Sequence, residues 1–209
     1  FDFIDNELEK NILKESENAL CIGISAITGY QIKDGLRIAK LVKEKFPGIP
    51  IIWGGWHPSI LPLQTIKNPY VDIVVKGQGA KPLRDIANAL ADNKSLDNIK
   101  GIIFKKNGEI KENHDKEFEE IDDSYPLPFE LIDIKKYITK TEIGSRTINY
   151  VTSEGCPFHC GFCAALSVNK KRWAGAKPES ILNDMEKLVK GHNINAFINI
   201  SASYANLKK

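Results

Sequence analysis

The chain has 209 residues, 42% of them apolar and 27% charged, which suffices for one large or two small globular domains with a real core. A net charge of +2 gives no excess positive field for neutralising many phosphates, so no nucleic-acid partner is expected. No window approaches about eighteen uninterrupted apolar residues, and the opening FDFIDNELEK has neither a basic start nor an apolar core, so no membrane span or secretory leader is expected and the reading is cytoplasmic.

In chain order, NELEKNILKESE has a helical period, ALCIGISAI reads as a buried strand, and QIKDGLRIAKLVKEKF as an amphipathic helix. IPIIWGG and VDIVVKG read as two further strands, and AKPLRDIANALADN as a helix. This alternation with short connections predicts a doubly wound, mostly parallel sheet, whose ligands bind beyond the carboxyl ends of the strands. Residues 99–145 change character. IKGIIFKKNGEIKEN is a hairpin pattern turning at Asn107-Gly108, and the acidic, proline-containing EEIDDSYPLPFELID follows it, so this stretch is read as an inter-domain connection. RTINYVTSEG then reads as a strand and turn, KPESILNDMEKLVKGHN as a helix with Pro178 in its first turn, and INAFINISA as a strand.

Three of the four cysteines fall in TSEGCPFHCGFC, residues 152–163, as Cys156, Cys160 and Cys163 in a C-x3-C-x2-C spacing. Cys21, alone in the apolar ALCIGIS, is expected to bury as a small hydrophobe. This is no disulfide framework, and a cysteine cluster in a reducing compartment binds metal or does redox chemistry. Structural zinc usually takes four protein ligands, for which His159 could be the fourth. An iron-sulfur cube on three cysteines would leave one iron open to an external ligand. On residue chemistry alone both remain open.

GCPFHCGFC resembles the C-x3-C-x-aromatic-C loop of the radical S-adenosylmethionine superfamily, with Phe162 at the aromatic position. The resemblance implies that TINYVTSEG is the first strand of a β/α barrel and that KRWAGAKPESILNDMEKLV leads into its first helix. It further implies that Cys156, Cys160 and Cys163 ligate a 4Fe-4S cluster whose open iron is chelated by S-adenosylmethionine. An electron, from a donor such as flavodoxin or ferredoxin, then releases a 5'-deoxyadenosyl radical. His159 falls at a variable position of that loop.

In the first half, Ser25-Ala26-Ile27 followed at matching spacing by Gly54-Gly55 is similar to the Ser-x-Leu and Gly-Gly signature of cobalamin-binding domains related to cobalamin-dependent methionine synthase, with Ile27 replacing the leucine. A small hydroxyl residue at one strand end and glycines at the next leave a slot for a cofactor tail. The resemblance implies that Ser25, Ile27, Gly54 and Gly55 line it and that His57 is a loop residue near the cofactor, not a cobalt ligand. Trp53 and Trp56 are core or cofactor-wall residues. GQGA at 77–80 lacks a third spaced glycine and is weak as a dinucleotide signal, and Gln78 and Ala80 stand where relatives carry glutamates.

Along nearly its whole length the chain thus resembles the cobalamin-dependent class of radical S-adenosylmethionine enzymes, which includes methyltransferases and some ring-forming enzymes. The expected fold is α/β: a Rossmann-like cobalamin-binding domain lacking its first strand (1–95), a hairpin and linker (96–145), and the N-terminal part of a β/α barrel (146–209). The expected cofactors are cobalamin, S-adenosylmethionine and a 4Fe-4S cluster, and the expected chemistry is methyl transfer to an unactivated carbon or phosphorus centre of a small molecule. The alternative is a non-catalytic cobalamin- or nucleotide-binding module with a structural zinc. Because only two barrel strands are counted, and Ser201, Ala202 and Ser203 stand where relatives carry acidic residues, the sequence reads as an internal fragment whose own turnover is left open.

Overall fold

The apolar runs of the first half form one mixed sheet. In the computed structural model, which describes residues 6–121 and 127–201, the chain divides into two units, Phe1–Phe118 and Glu119–Lys209. The first contains α1 (Asn6–Ser16), β1 (Ile22–Ser25), α2 (Tyr30–Lys45), β2 (Ile51–Gly54), α3 (Trp56–Ile60), α4 (Pro62–Ile66), β3 (Ile73–Val75), α5 (Ala80–Ala91), β4 (Ile102–Lys106) and β5 (Glu109–Glu112). The strands lie in sequence order. β1, β2 and β3 are parallel, with Gly23 opposite Ile52 and Ser25 opposite Gly54, whereas β4 and β5 are antiparallel additions.

Side-chain alternation sorts the core onto the two sheet faces. Ile51, Trp53, Val74 and Ile103 pack with Ile38, Ala39 and Val42 of α2, while Ile52, Val75, Ile102 and Phe104 pack with Ile86 of α5. Trp53 is 1% exposed, which makes it core, and α2 reaches it through Gly35, where a Cβ would lie 2.9 Å from the indole Cη2.

Three features differ from the sequence reading. The run around Ile22–Ser25 is a half-exposed edge strand, not a buried one, because among the described residues β2 pairs with only one of its sides and β1 has no partner on the other. Residues after Gly55, read as loop, form α3 and α4; these are single turns, too short for a periodicity to register. The hairpin is not a free connection: β4 pairs with β3, and Asn107 (φ 54°) and Gly108 (φ 83°) make the two-residue turn that sets Lys106 opposite Glu109.

The second unit holds β6 (Thr147–Tyr150), β7 (Ser153–Gly155), α6 (Ala165–Asn169), β8 (Trp173–Gly175), α7 (Pro178–His192) and β9 (Ala196–Asn199). β6 and β9 are parallel neighbours joined through α7, a β–α–β unit. Ile148, Tyr150, Leu188 and Ile194 form its core with Ile134 from the preceding segment, and Tyr150 meets Phe197 edge-on at 6.5 Å. Pro178 starts α7, and Asn193 at φ 53° ends it while the Arg146 guanidinium donates to the His192 carbonyl at 2.9 and 3.1 Å. Among the described residues no helix is long and apolar enough to cross a membrane.

Candidate cofactor and cluster sites

A cavity of about 430 Å³ opens at the carboxyl ends of the parallel strands, between their glycines and the start of α5. Its floor is unusually short of side chains. A Cβ on Gly23 would touch nothing within 4 Å, one on Gly54 would reach only Val75 Cβ at 4.0 Å, and one on Gly79 only Val75 Cγ1 at 3.9 Å. Gly23 shares a strand face with Ser25, so an i, i+2 reading of β1 could have found it; Gly79 and Leu83 enter the lining through α5, which no local signal reveals.

Gly55 serves another purpose than its neighbour. At φ 91° it brings the two strand ends together so closely that a Cβ would lie 2.8 Å from Ser25 Oγ and 3.0 Å from the Ala26 backbone nitrogen and oxygen. Of the residues picked from sequence, Ser25, Gly54 and Gly55 line the cavity, whereas Ile27 and His57 are not among its walls. Ile27 is 52% exposed, its N–H donating to Gln31 Oε1 at 3.0 Å. His57 is buried in the first turn of α3, its N–H donating to the Ala26 carbonyl at 3.0 Å and its Nδ1 3.2 Å from Thr28 Oγ1. Its imidazole thus braces two strand-end loops. Cys21 packs against the α5-side core, and burial pushes its thiol pKa up.

In the second unit the cysteines occupy a closed excursion. β7 pairs antiparallel with β8, so residues 156–172 leave and return at one base, and Gly155 (φ 80°) turns the chain out of β7. Within it Cys163 N–H donates to the Cys160 carbonyl at 3.0 Å, and α6 follows directly. Cys156 is half-buried; Cys160 and Cys163 are exposed, and Phe162 is 94% exposed. Among the described residues no three His, Cys, Asp or Glu side chains are already gathered to hold a metal ion. The donor set nevertheless fits an iron-sulfur cluster: three thiols on one accessible loop tied at both ends.

The base of this excursion is fastened by residues the sequence did not single out for that role. Ser201 Oγ accepts from Thr152 N–H at 2.9 Å and Ser153 N–H at 3.0 Å, and Asn199 Nδ2 donates to Thr152 Oγ1 at 2.9 Å. Ala202 and Ser203, noted with Ser201 for their missing carboxylates, lie outside the described residues. A second cavity, of about 530 Å³, lies beside α7, where buried Asp184 accepts from Tyr150 Oη at 3.1 Å and pairs with Lys187 at 3.4 Å.

Comparison with known proteins agrees with this layout. Residues 5–87 match the B12 binding domain. An uncharacterized methyltransferase of Pyrococcus horikoshii is 30% identical over 169 residues, 80% of this chain and 36% of that protein. The cobalamin-dependent radical SAM methyltransferase TokK of Streptomyces tokunonensis is 30% identical over 140 residues, 64% of this chain and 20% of that protein. The structure of the radical S-adenosylmethionine methyltransferase TsrM from Kitasatospora setae, with cobalamin and a [4Fe-4S] cluster bound, superposes with a TM-score of 0.70 at 14% identity, over 95% of this chain and 40% of that one. The fold is therefore that of an α/β B12-binding domain followed by a strand–loop–helix–strand unit of a radical S-adenosylmethionine barrel. The chain thus contains a match to the B12 binding domain and is similar along most of its length to cobalamin-dependent radical S-adenosylmethionine proteins, and it spans 36% and 20% of the two curated relatives' lengths.

Proposed function

We propose that this chain supplies the cobalamin site and the cluster loop of a cobalamin-dependent radical S-adenosylmethionine methyltransferase acting on a small molecule. Its cobalamin site is the glycine-floored cavity, and Cys156, Cys160 and Cys163 hold a 4Fe-4S cluster. When bound, the cluster supplies the electron that splits S-adenosylmethionine, and cobalamin supplies the methyl carrier; the protein's part is to bind, orient and exclude water. Methyl transfer to an unactivated carbon or phosphorus centre is the finer reading. The relatives' names support methyl transfer as such, and flavodoxin or ferredoxin is the class of electron donor this reading calls for.

The observation that carries the proposal is the position of the three thiols, on a tied loop between β6 and α7 of a parallel β–α–β unit. Within the cavity, Gly54 leaves room for the cofactor and the Ser25 hydroxyl offers a polar contact at the strand end. Ile27 and His57 act from outside the lining, His57 by holding the Ala26–Thr28 turn. Phe162, almost wholly exposed and next to Cys163, is the loop's aromatic candidate for contact with the bound cofactors.

Anaerobic reconstitution of the chain with iron and sulfide tests this. A reducible cluster, seen by absorption and electron paramagnetic resonance and lost in the triple cysteine-to-alanine variant, is the expected result. Stoichiometric zinc with no reducible cluster overturns the proposal and leaves a binding module with a structural clip.

A further inference from the structure

We infer that Ser201 is a positioning residue for Cys156: the end of β9, through one hydroxyl, fixes the point from which the cysteine loop departs. The inference concerns the same site as the proposed cluster and rests on that reading only for its consequence in iron retention.

The geometry is a short chain of contacts. The Ser201 hydroxyl oxygen accepts from two successive backbone N–H groups, Thr152 at 2.9 Å and Ser153 at 3.0 Å, which fixes the peptide unit between them. The same hydroxyl lies 3.3 Å from Thr152 Oγ1, which also accepts from Asn199 Nδ2 at 2.9 Å. Ser201 is itself oriented by its own N–H, which donates to Asn199 Oδ1 at 3.0 Å. Thr152 and Ser153 stand where the chain passes from β6 to β7, and β7 is held to β8 from Ser153 opposite Gly175 to Gly155 opposite Trp173. Cys156 is the next residue. Only two paired residues, Glu154 and Gly155, therefore separate the anchored peptide from the first thiol, so a shift at the anchor is carried along β7 to Cys156.

Cys160 and Cys163 lie further into the excursion, on the turn that leads to α6, and are exposed. They should feel the anchor far less. A serine that merely stabilised the unit would influence all three thiols alike, and this contrast separates the two roles.

The test compares the wild-type chain with Ser201→Ala and Ser201→Thr, the latter keeping the hydroxyl. In the reduced, metal-free chain, alkylation by iodoacetamide is followed cysteine by cysteine by mass spectrometry, and hydrogen exchange is read at the Thr152 and Ser153 amides. Ser201→Ala should accelerate Cys156 alkylation between about two- and tenfold, the factor one net hydrogen bond supplies, with faster exchange at both amides. Cys160 and Cys163 should be unchanged, and Ser201→Thr should behave as wild type. In the reconstituted protein, Ser201→Ala should release iron to a chelator faster than wild type.

An unchanged Cys156 rate in Ser201→Ala overturns the inference, and so does equal acceleration of all three cysteines. If no variant takes up a cluster while the alkylation contrast holds, the cofactor reading fails and the positioning role stands. If a cluster forms but neither Cys156 reactivity nor iron release distinguishes Ser201→Ala, the positioning role fails and the cofactor reading stands.

Discussion

Gly54 and Gly55 are adjacent and chemically identical, yet the structure assigns them different work. A side chain on Gly54 would project into the cavity and meet only Val75 at ordinary contact distance, so Gly54→Val should fold normally and fill the space proposed for cobalamin. A side chain on Gly55 would collide with Ser25 and Ala26 and hold a positive φ that β-branched residues adopt only with strain. Gly55→Val should therefore destabilise the first unit by about 2 to 4 kcal/mol, the sum of overpacking and backbone strain. Urea unfolding and cobalamin retention, measured on both variants, check this: Gly54→Val should lose cobalamin with an unchanged midpoint, and Gly55→Val should lose the midpoint first. Equal midpoints would mean that the close approach of the two strand ends can relax. The sequence signature pairs these glycines; only the positions of Ser25 and Val75 tell them apart.

At the scale of elements, a lysine adds a charged tie to the β3–β4 ladder that joins the hairpin β4–β5 to the parallel strands. Lys76, just past β3, donates to Glu112 at 2.7 Å and Asp115 at 2.6 Å. Burial pulls its pKa down, but the hydrogen bonds and charges of Asp115 and Glu112 outweigh burial and hold it above the ordinary lysine value. The sign follows: the stabilisation is complete below the unfolded-state pKa and is lost as pH rises through the folded-state value. Lys76→Met should lower the stability of the first unit by about 1 kcal/mol at neutral pH, because both carboxylates are half-exposed and screened. The difference from wild type in urea midpoint should shrink at strongly alkaline pH; a constant difference across pH would assign the effect to packing of the lysine stem instead. This contact also explains why the hairpin was legible and its membership was not. Alternation and the Asn107-Gly108 turn are local, but the pairing of β4 with β3 depends on residues some thirty positions apart. The same limit hid β7 and β8, three residues each and paired as strands with one another, and it made the edge strand β1 read as buried, since Cys21, Ile22 and Ile24 are apolar whether or not a neighbour covers them. The cysteine loop, by contrast, was legible because its spacing lies within one stretch of chain. The residue that fastens it lies some fifty positions away, and its hydroxyl has no spacing rule to betray it.

At the scale of the whole molecule, the cavity belongs to the unit Phe1–Phe118 and the cysteine loop to Glu119–Lys209. Each site is lined by residues of its own unit, and each unit has its own core. Loading of one cofactor should therefore not require the other. A ligand that binds only the folded form stabilises it by RT ln(1 + [L]/Kd), about 2.7 kcal/mol at a hundredfold excess over Kd, and that stabilisation acts on the unit that binds. Added cobalamin should raise the unfolding temperature of a transition followed by amide exchange in β1, β2 and α5, and leave exchange in β6, α7 and β9 unchanged. The triple variant of Cys156, Cys160 and Cys163 to alanine should keep this cobalamin response in full while taking up no iron, and Gly54→Val should take up iron while giving no cobalamin response. Cobalamin protection that disappears in the cysteine variant, or iron uptake that disappears in Gly54→Val, would mean that the two sites are coupled despite separate cores, and that one cofactor helps to build the site of the other.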